Sequence, residues 1–147
     1  MPNKITNFWP CNTFKHWQLK KLPILASAAY EQGTALRSSL GTDYQIMDGS
    51  SETNFAGILA ETISASDADY ATSGKLKHVF VPISPEAEMY FTVGNGTFTS
   101  ADVGKNVAVH TDGKSVAVDT AGTHFQIRKY ISAARGKCAP LRLPSAT

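Results

Sequence analysis

Residues 103 to 119 read VGKNVAVHTDGKSVAVD, two alternating apolar runs separated by Asp112-Gly113. Asp-Gly between such runs is a strong hairpin signal, because a two-residue type I′ turn demands positive φ at both central positions. Folding about that pair sets Val109 opposite Val116 and Val107 opposite Val118, so the four valines share one face. Ala108, Ala117, His110 and Ser115 then point the other way. Backbone geometry accounts for the glycines: GNGTFTSADVGK fits neither GxGxxG nor GxxxxGK[ST], the spacings that cradle phosphate.

The rest of the chain continues in the same idiom. FAGILAETI places Ile58, Ala60 and Thr62 on one face and Leu59, Glu61 and Ile63 on the other. KLKHVFVPI alternates Leu76, His78 and Phe80 with Lys77, Val79 and Val81, and Pro82 ends it or confines it to an edge. EAEMYFTV puts Met89, Phe91 and Val93 together. Ser100 to Gly104 reads as one helical or 3₁₀ turn capped by Ser100. HFQIRKYIS alternates His124, Gln126, Arg128 and Tyr130 against Phe125, Ile127, Lys129 and Ile131, and AARGKCAPLRL is a bend followed by a short strand stopped by Pro144. Residues 64 to 74 are a polar surface loop, and residues 26 to 38 leave room for a short helix. The expected class is mainly β: a small antiparallel β-barrel or β-tulip-like domain, residues 22 to 147, with an extended N-terminal arm, residues 1 to 21.

That arm is aromatic and basic. Phe8, Trp9, Phe14 and Trp17 fall within ten residues and include both tryptophans, and Pro10 argues against one long helix through them. A segment so rich in large rings must be covered, either by folding back on its own core or by lying on a partner. The net charge of +2 hides a segregation. Lys4, Lys15, Lys20 and Lys21 stand in an N-terminal stretch without acids, whereas Asp43, Asp48, Glu52, Glu61, Asp67 and Asp69 occupy residues 41 to 69 without a base. Arg128, Lys129, Arg135, Lys137 and Arg142 make the C-terminal stretch basic again. Such a dipolar pattern suits docking on protein surfaces better than tracking a phosphate backbone. No secretory signal or membrane span is read in the sequence, so synthesis in a cytoplasmic compartment is expected, with Cys11 and Cys138 as free thiols.

Chemistry is sparse. His16, His78, His110 and His124 are never two to four residues apart, and no GxSxG elbow is present. Asp67 with Asp69, and Glu86 with Glu88, read as surface acids; an enzyme using Asp67 or Asp69 would need them buried at a pocket. His110 and His124 are expected on strand faces near water, and Cys138 beside Lys137 is a candidate for a lowered thiol pKa. FKHWQLKK has the residues to stack bases and bind phosphate, yet arginines number only four, and no nucleic-acid partner is expected. No catalytic residue, cofactor or metal is assigned, and the expected activity is binding rather than catalysis.

The order AGILAETI, VFVPI, EMYFTVGNGTFTSADVGKNVAVHTDGKSVAVD and IRKYISAARGKCAPLRL resembles the capsid decoration, or cement, proteins of tailed bacteriophages, including lambda-type and β-tulip-type members. The carrying features are Gly57 to Leu59, Gly94 to Gly96, Val103 to Val107 and Asp112 to Lys114, and the likeness spans about residues 45 to 143. It implies a structural virion protein, made in the host cytoplasm, that sits on the outer face of the mature capsid and bridges major capsid protein subunits. It also implies self-association, a trimer favoured over a dimer. The aromatic arm departs from the lambda type. On this reading Phe8, Trp9, Phe14 and Trp17 anchor the partner interface and Lys15, Lys20 and Lys21 steer it towards acidic capsid surface. The alternative is a phage tail or fibre-associated β-module that binds a host surface glycan.

Overall fold

The computed structural model describes residues 7–11, 13–39, 42–49 and 55–143, with Thr13, Phe14, Ser39 and Thr42 described by their backbone alone. Its strands are β1 (Trp9–Pro10), β2 (Trp17–Ile24), β3 (Ala35–Ser39), β4 (Thr42–Ile46), β5 (Phe55–Leu59), β6 (Lys75–Pro82), β7 (Met89–Asn95), β8 (Asn106–Val109), β9 (Val116–Ala121), β10 (Phe125–Ser132) and β11 (Arg135–Pro140). A four-residue helix, α1 (Thr13–His16), and a 3₁₀ turn, Ser100–Asp102, complete them. No described helix is long and apolar enough to cross a membrane. Where a helix had room, residues 26 to 38, the chain instead turns and enters β3.

The mainly β expectation and the barrel both hold, but the arrangement is not purely antiparallel. Strands β2-β4-β3-β5-β6 close a barrel, and a second sheet of six strands runs in the order β1-β7-β11-β10-β8-β9. Two pairings are parallel, Ile24 with Tyr44 between β2 and β4, and Val93 with Val116 between β7 and β9. Parallel neighbours need a crossover. Here β3 provides the first, and the 3₁₀ turn with β8 provides the second. The division expected between residues 21 and 22 falls inside β2, a strand paired over its whole length with β6 from Trp17↔Pro82 to Ile24↔Lys75.

Val109 does pair with Val116, but a bulge moves Val107 opposite Ala121 instead of Val118. All four valines are nonetheless buried. The turn is wider than the two-residue type I′ expected: His110 N–H donates to the Ser115 carbonyl at 2.8 Å, and Gly113 N–H to the His110 carbonyl at 2.9 Å. Asp112 ties the loop by accepting from the N–H groups of Lys114 (2.8 Å) and Ser115 (3.1 Å). The wide loop has a job, since its tip reaches the barrel. Ala35 N–H donates to the Gly113 carbonyl at 2.8 Å, and Lys114 Nζ lies 2.7 Å from Glu31 Oε1.

Bulges also decide which residues face the core. In β5 the pairings Leu36↔Gly57 and Arg37↔Phe55 leave Ala56 as an extra residue, which turns Phe55 to the same face as Ile58 and Ala35. That face packs on the six-stranded sheet, together with Phe8, Trp17, Met89, Phe91, Phe125 and Ile127. The opposite face, Leu36 and Leu59, joins Ile24, Ile63 and Val79 inside the barrel. In β10 the pairings Ile127↔Cys138 and Lys129↔Lys137 make Arg128 the extra residue. Strict alternation therefore fails after Ile127: Tyr130 turns inward against Phe98, ring centroids 5.0 Å apart, and Ile131 turns out. Thr99, rather than Ser100, caps the 3₁₀ turn in a capping box with Asp102. The last strand stops at Pro140, and Pro144 lies outside the described residues.

Gly113 and Gly104 separate two demands on the backbone. Both have positive φ, +70° and +97°, but a Cβ on Gly113 would run into the Ile46 side chain, whereas one on Gly104 would meet nothing within 4 Å. Gly104→Ala should cost about 1–2 kcal/mol from left-handed strain alone. Gly113→Ala should cost about 1–3 kcal/mol more through overpacking at the joint between barrel and sheet. Urea unfolding of the two variants checks the difference.

Candidate binding surface

The eight-residue register between β2 and β6 fixes which side chains share a surface. One face of this ribbon carries the rungs Trp17–Pro82, Leu19–Phe80, Lys21–His78 and Pro23–Leu76. The ladder starts under the six-stranded sheet, where Trp17 is buried, and opens to solvent along its length: Leu19, in the second rung, is 54% exposed and Leu76, in the last, 59%. Trp9, half-buried, closes the covered end with its ring edge-on to Phe80 at 5.2 Å. Next to the ribbon, Ile83 is 54% exposed.

The sequence-derived interface residues divide accordingly. Phe8 is fully buried and Trp17 is 3% exposed, both within the chain's own core. Phe8 N–H donates to the Gly33 carbonyl at 3.2 Å, and Trp17 Nε1–H to the Glu88 carbonyl at 3.1 Å. Of the two coverings open to the arm, these rings take the inward one, and as placed they offer no surface to a partner. Lys15, Lys20 and Lys21 are exposed, and the side chain of Phe14 lies outside the described residues. Leu19 and Leu76 carry no signal of this role in the sequence. Alternation sets Leu76 on the correct face of its strand, but only the pairing of β2 with β6, more than fifty residues apart in sequence, shows that the face is shared and open.

The acidic residues expected at the surface are tied to backbone N–H groups or to a neighbouring lysine. Asp67 accepts from Ser64 N–H at 2.9 Å, Asp69 lies 3.1 Å from Lys77 Nζ, and Asp43 accepts from Gly74 N–H at 2.8 Å. Glu61 accepts from His78 N–H at 2.7 Å, and the His78 ring Nδ1 stands 2.9 Å from the same oxygen. Burial pushes the Glu61 carboxyl up, but the hydrogen bonds from His78 and the charge of Lys77 outweigh it and hold the group below the usual carboxylate value.

The remaining candidates also settle into structure. His124, expected near water, is 2% exposed, because its Nδ1 accepts from Val109 N–H at 3.0 Å and pins the hairpin. The Cys138 thiol is raised well above its ordinary value by burial, the opposite of the lowering expected from its neighbour Lys137. Adjacent strand residues point to opposite faces, so the Lys137 ammonium and the Cys138 thiol are on different sides of the sheet. Cys11 comes directly after β1 and Cys138 lies in β11, with β7 between them. Two strand spacings, about 9–10 Å, exceed the span of a disulfide, and both thiols are free. Among the described residues, no three His, Cys, Asp or Glu side chains converge as a metal site would require.

The fold and surface define a mainly β protein in which a closed five-stranded barrel shares its core with a six-stranded sheet. Comparison of the chain with protein-family models, curated proteins and solved structures gives no match.

Phe8→Ala and Trp17→Ala should each lose about 3–5 kcal/mol in urea unfolding, whereas Leu19→Ser and Leu76→Ser should stay within about 0.5 kcal/mol of the parent. Because the folded-state pKa of Glu61 is depressed, its contribution to stability is complete above the ordinary carboxylate value and fades as pH falls through the lowered one. In Glu61→Gln that acid-side contribution should vanish from the curve of melting temperature against pH.

Proposed function

We propose that this protein is a structural, non-enzymatic module that decorates the outer surface of a mature tailed-phage capsid and stabilises it by bridging major capsid protein subunits. The single observation that supports this most is the outward face of the β2–β6 ribbon, where Leu19 and Leu76, each more than half exposed, flank the Lys21–His78 rung. Apolar side chains on a paired backbone with a lysine between them have the composition of a docking site, in which apolar burial supplies affinity and charge supplies approach and register. A module binding only the expanded lattice stabilises that lattice by linkage. The anchors in this reading are Leu19 and Leu76 with Trp9 at the margin, and Lys15, Lys20 and Lys21 supply the steering. Self-association as a trimer around local three-fold positions belongs to the same proposal.

One observation favours the second reading, a tail or fibre module that binds a host glycan. Trp9 belongs to β1 and pairs with Tyr90 of β7, so one tryptophan sits on a rigid sheet rather than on a free arm.

Co-sedimentation with expanded phage shells tests the first reading. Saturable binding is expected, falling at least tenfold in the double variant Leu19→Ser/Leu76→Ser, whose own unfolding is unchanged. Lys20→Glu/Lys21→Glu should slow association and reduce its salt dependence. Shell binding that is absent, or indifferent to both double variants, overturns the proposal.

A further inference from the structure

The β10–β11 hairpin concentrates positive charge on the outer face of the six-stranded sheet. In a regular strand Arg128 and Lys129 would point to opposite faces; the bulge at Arg128 instead pairs Lys129 directly with Lys137 on the outer face and leaves Arg128 exposed. Arg135, two residues before Lys137, shares that face. Across the next pairing stands Tyr90, with the Arg135 guanidinium 5.5 Å and the Lys137 ammonium 5.3 Å from its ring centroid. The ring thus holds two cations in fixed positions beside a third.

Charge balance on this face is incomplete. Glu88 stands 3.9 Å from Arg128. Lys129, Arg135 and Lys137 have no carboxylate partner among the described residues. Like charges directly opposed across an antiparallel pair are destabilising, so Lys129↔Lys137 is a cost the fold carries. A bulge that adds to the same cluster, and an aromatic ring that orders it, make a preorganised receptor for negative charge.

From these placements we infer that the outer face of β7, β11 and β10 is an oxyanion site, taking a phosphate or sulfate group over Tyr90 between Lys129, Arg135 and Lys137. Base stacking is not its mode: two cations already lie over Tyr90, and Trp9 is held edge-on against Phe80. The recognised unit is the tetrahedral anion itself, whichever molecule carries it. The site lies apart from the Leu19–Leu76 ladder and stands whether or not that ladder binds a capsid.

The test is an amide-shift titration of the full chain with inorganic phosphate, ionic strength being held constant with sodium chloride. Saturable shifts are expected at Tyr90 and across residues 128 to 137. The double variant Lys129→Gln/Lys137→Gln should bind phosphate at least tenfold more weakly, yet melt at a higher temperature without phosphate because the opposed pair is gone. Lys20→Gln/Lys21→Gln should change neither property. Glucose 6-phosphate and thymidine 5′-monophosphate distinguish the carriers: equal affinities confine recognition to the anion, and a gain for one ester at the same residues identifies the body attached to it. Shifts scattered over lysines on every face, or matched by chloride, mean a diffuse ion atmosphere and overturn the site. So does a double variant that loses stability while retaining phosphate affinity, since the cations would then be props for Tyr90.

Discussion

The ring of Phe125 stands 5.3 Å from that of Phe8 and 5.2 Å from that of Phe55, which brings the N-terminal segment, the six-stranded sheet and the barrel to one point. Each contact joins elements far apart in sequence, and each such pair contributes about 0.5–1.5 kcal/mol beyond the area it buries. The junction matters because the barrel interior alone is small, with Ile24, Leu36, Leu59, Ile63 and Val79 as its buried apolar residues. A core of that size does not sustain a barrel by itself. Its stability comes from presenting a second apolar face outward, and β5, buried at all five positions, is the wall that serves both cores. The Gly113 tip and the Lys114–Glu31 pair then fix the orientation of the two sheets.

Much of this fold is readable from the sequence wherever a strand obeys period two. β6, β7 and the first half of β10 keep to their apolar alternation, and the Asp112-Gly113 turn falls where its dipeptide places it. The features that escape such a reading do so for physical causes. Bulges at Ala56 and Arg128 reverse the facing of the residues beyond them, and nothing in a local pattern announces an extra residue. The aromatic segment has two outcomes open to it because Phe8 and Trp17 are equally apolar against their own core or a partner; the carbonyls of Gly33 and Glu88, distant in sequence, decide for the core. Of the candidate surface, the lysines are legible and the leucines are not. Exposure of Leu19 is a property of the ladder, which exists only once β2 has found β6.

Charge shows how local bonding alters the meaning of a composition. A net +2 suggests near balance. Yet Asp43, Glu61, Asp67, Asp102 and Asp112 all accept hydrogen bonds from backbone N–H groups, fastening turns and strand ends. In Asp102 the Lys105 ammonium and the Thr99 N–H hold the carboxyl below its usual value. These five carboxylates fasten the backbone, whereas among the described residues Lys15, Lys20, Lys21, Lys129 and Lys137 make no comparable bond to it.

That asymmetry bears on how an apolar ladder persists at a surface. Beyond the bridge of Ile24 to Tyr44, the described residues give β2 no pairing on its second edge, so Gln18, Leu19, Lys20 and Lys21 present an open strand edge. Such an edge invites a copy of itself, and lysines and proline are the residues that blunt that tendency. Lys20 and Lys21 lie within the edge and Pro23 removes one donor from it, so two copies approaching edge to edge bring four ammonium groups together. In the proposed docking, a partner of opposite charge would meet no such barrier and would find Leu19 and Leu76 on strands whose backbone is already paired, with little backbone order left to impose on binding. In the proposed docking, the same lysines that disfavour edge-to-edge self-pairing would favour an acidic surface, so that specificity would be set as much by what the edge repels as by what the leucines attract.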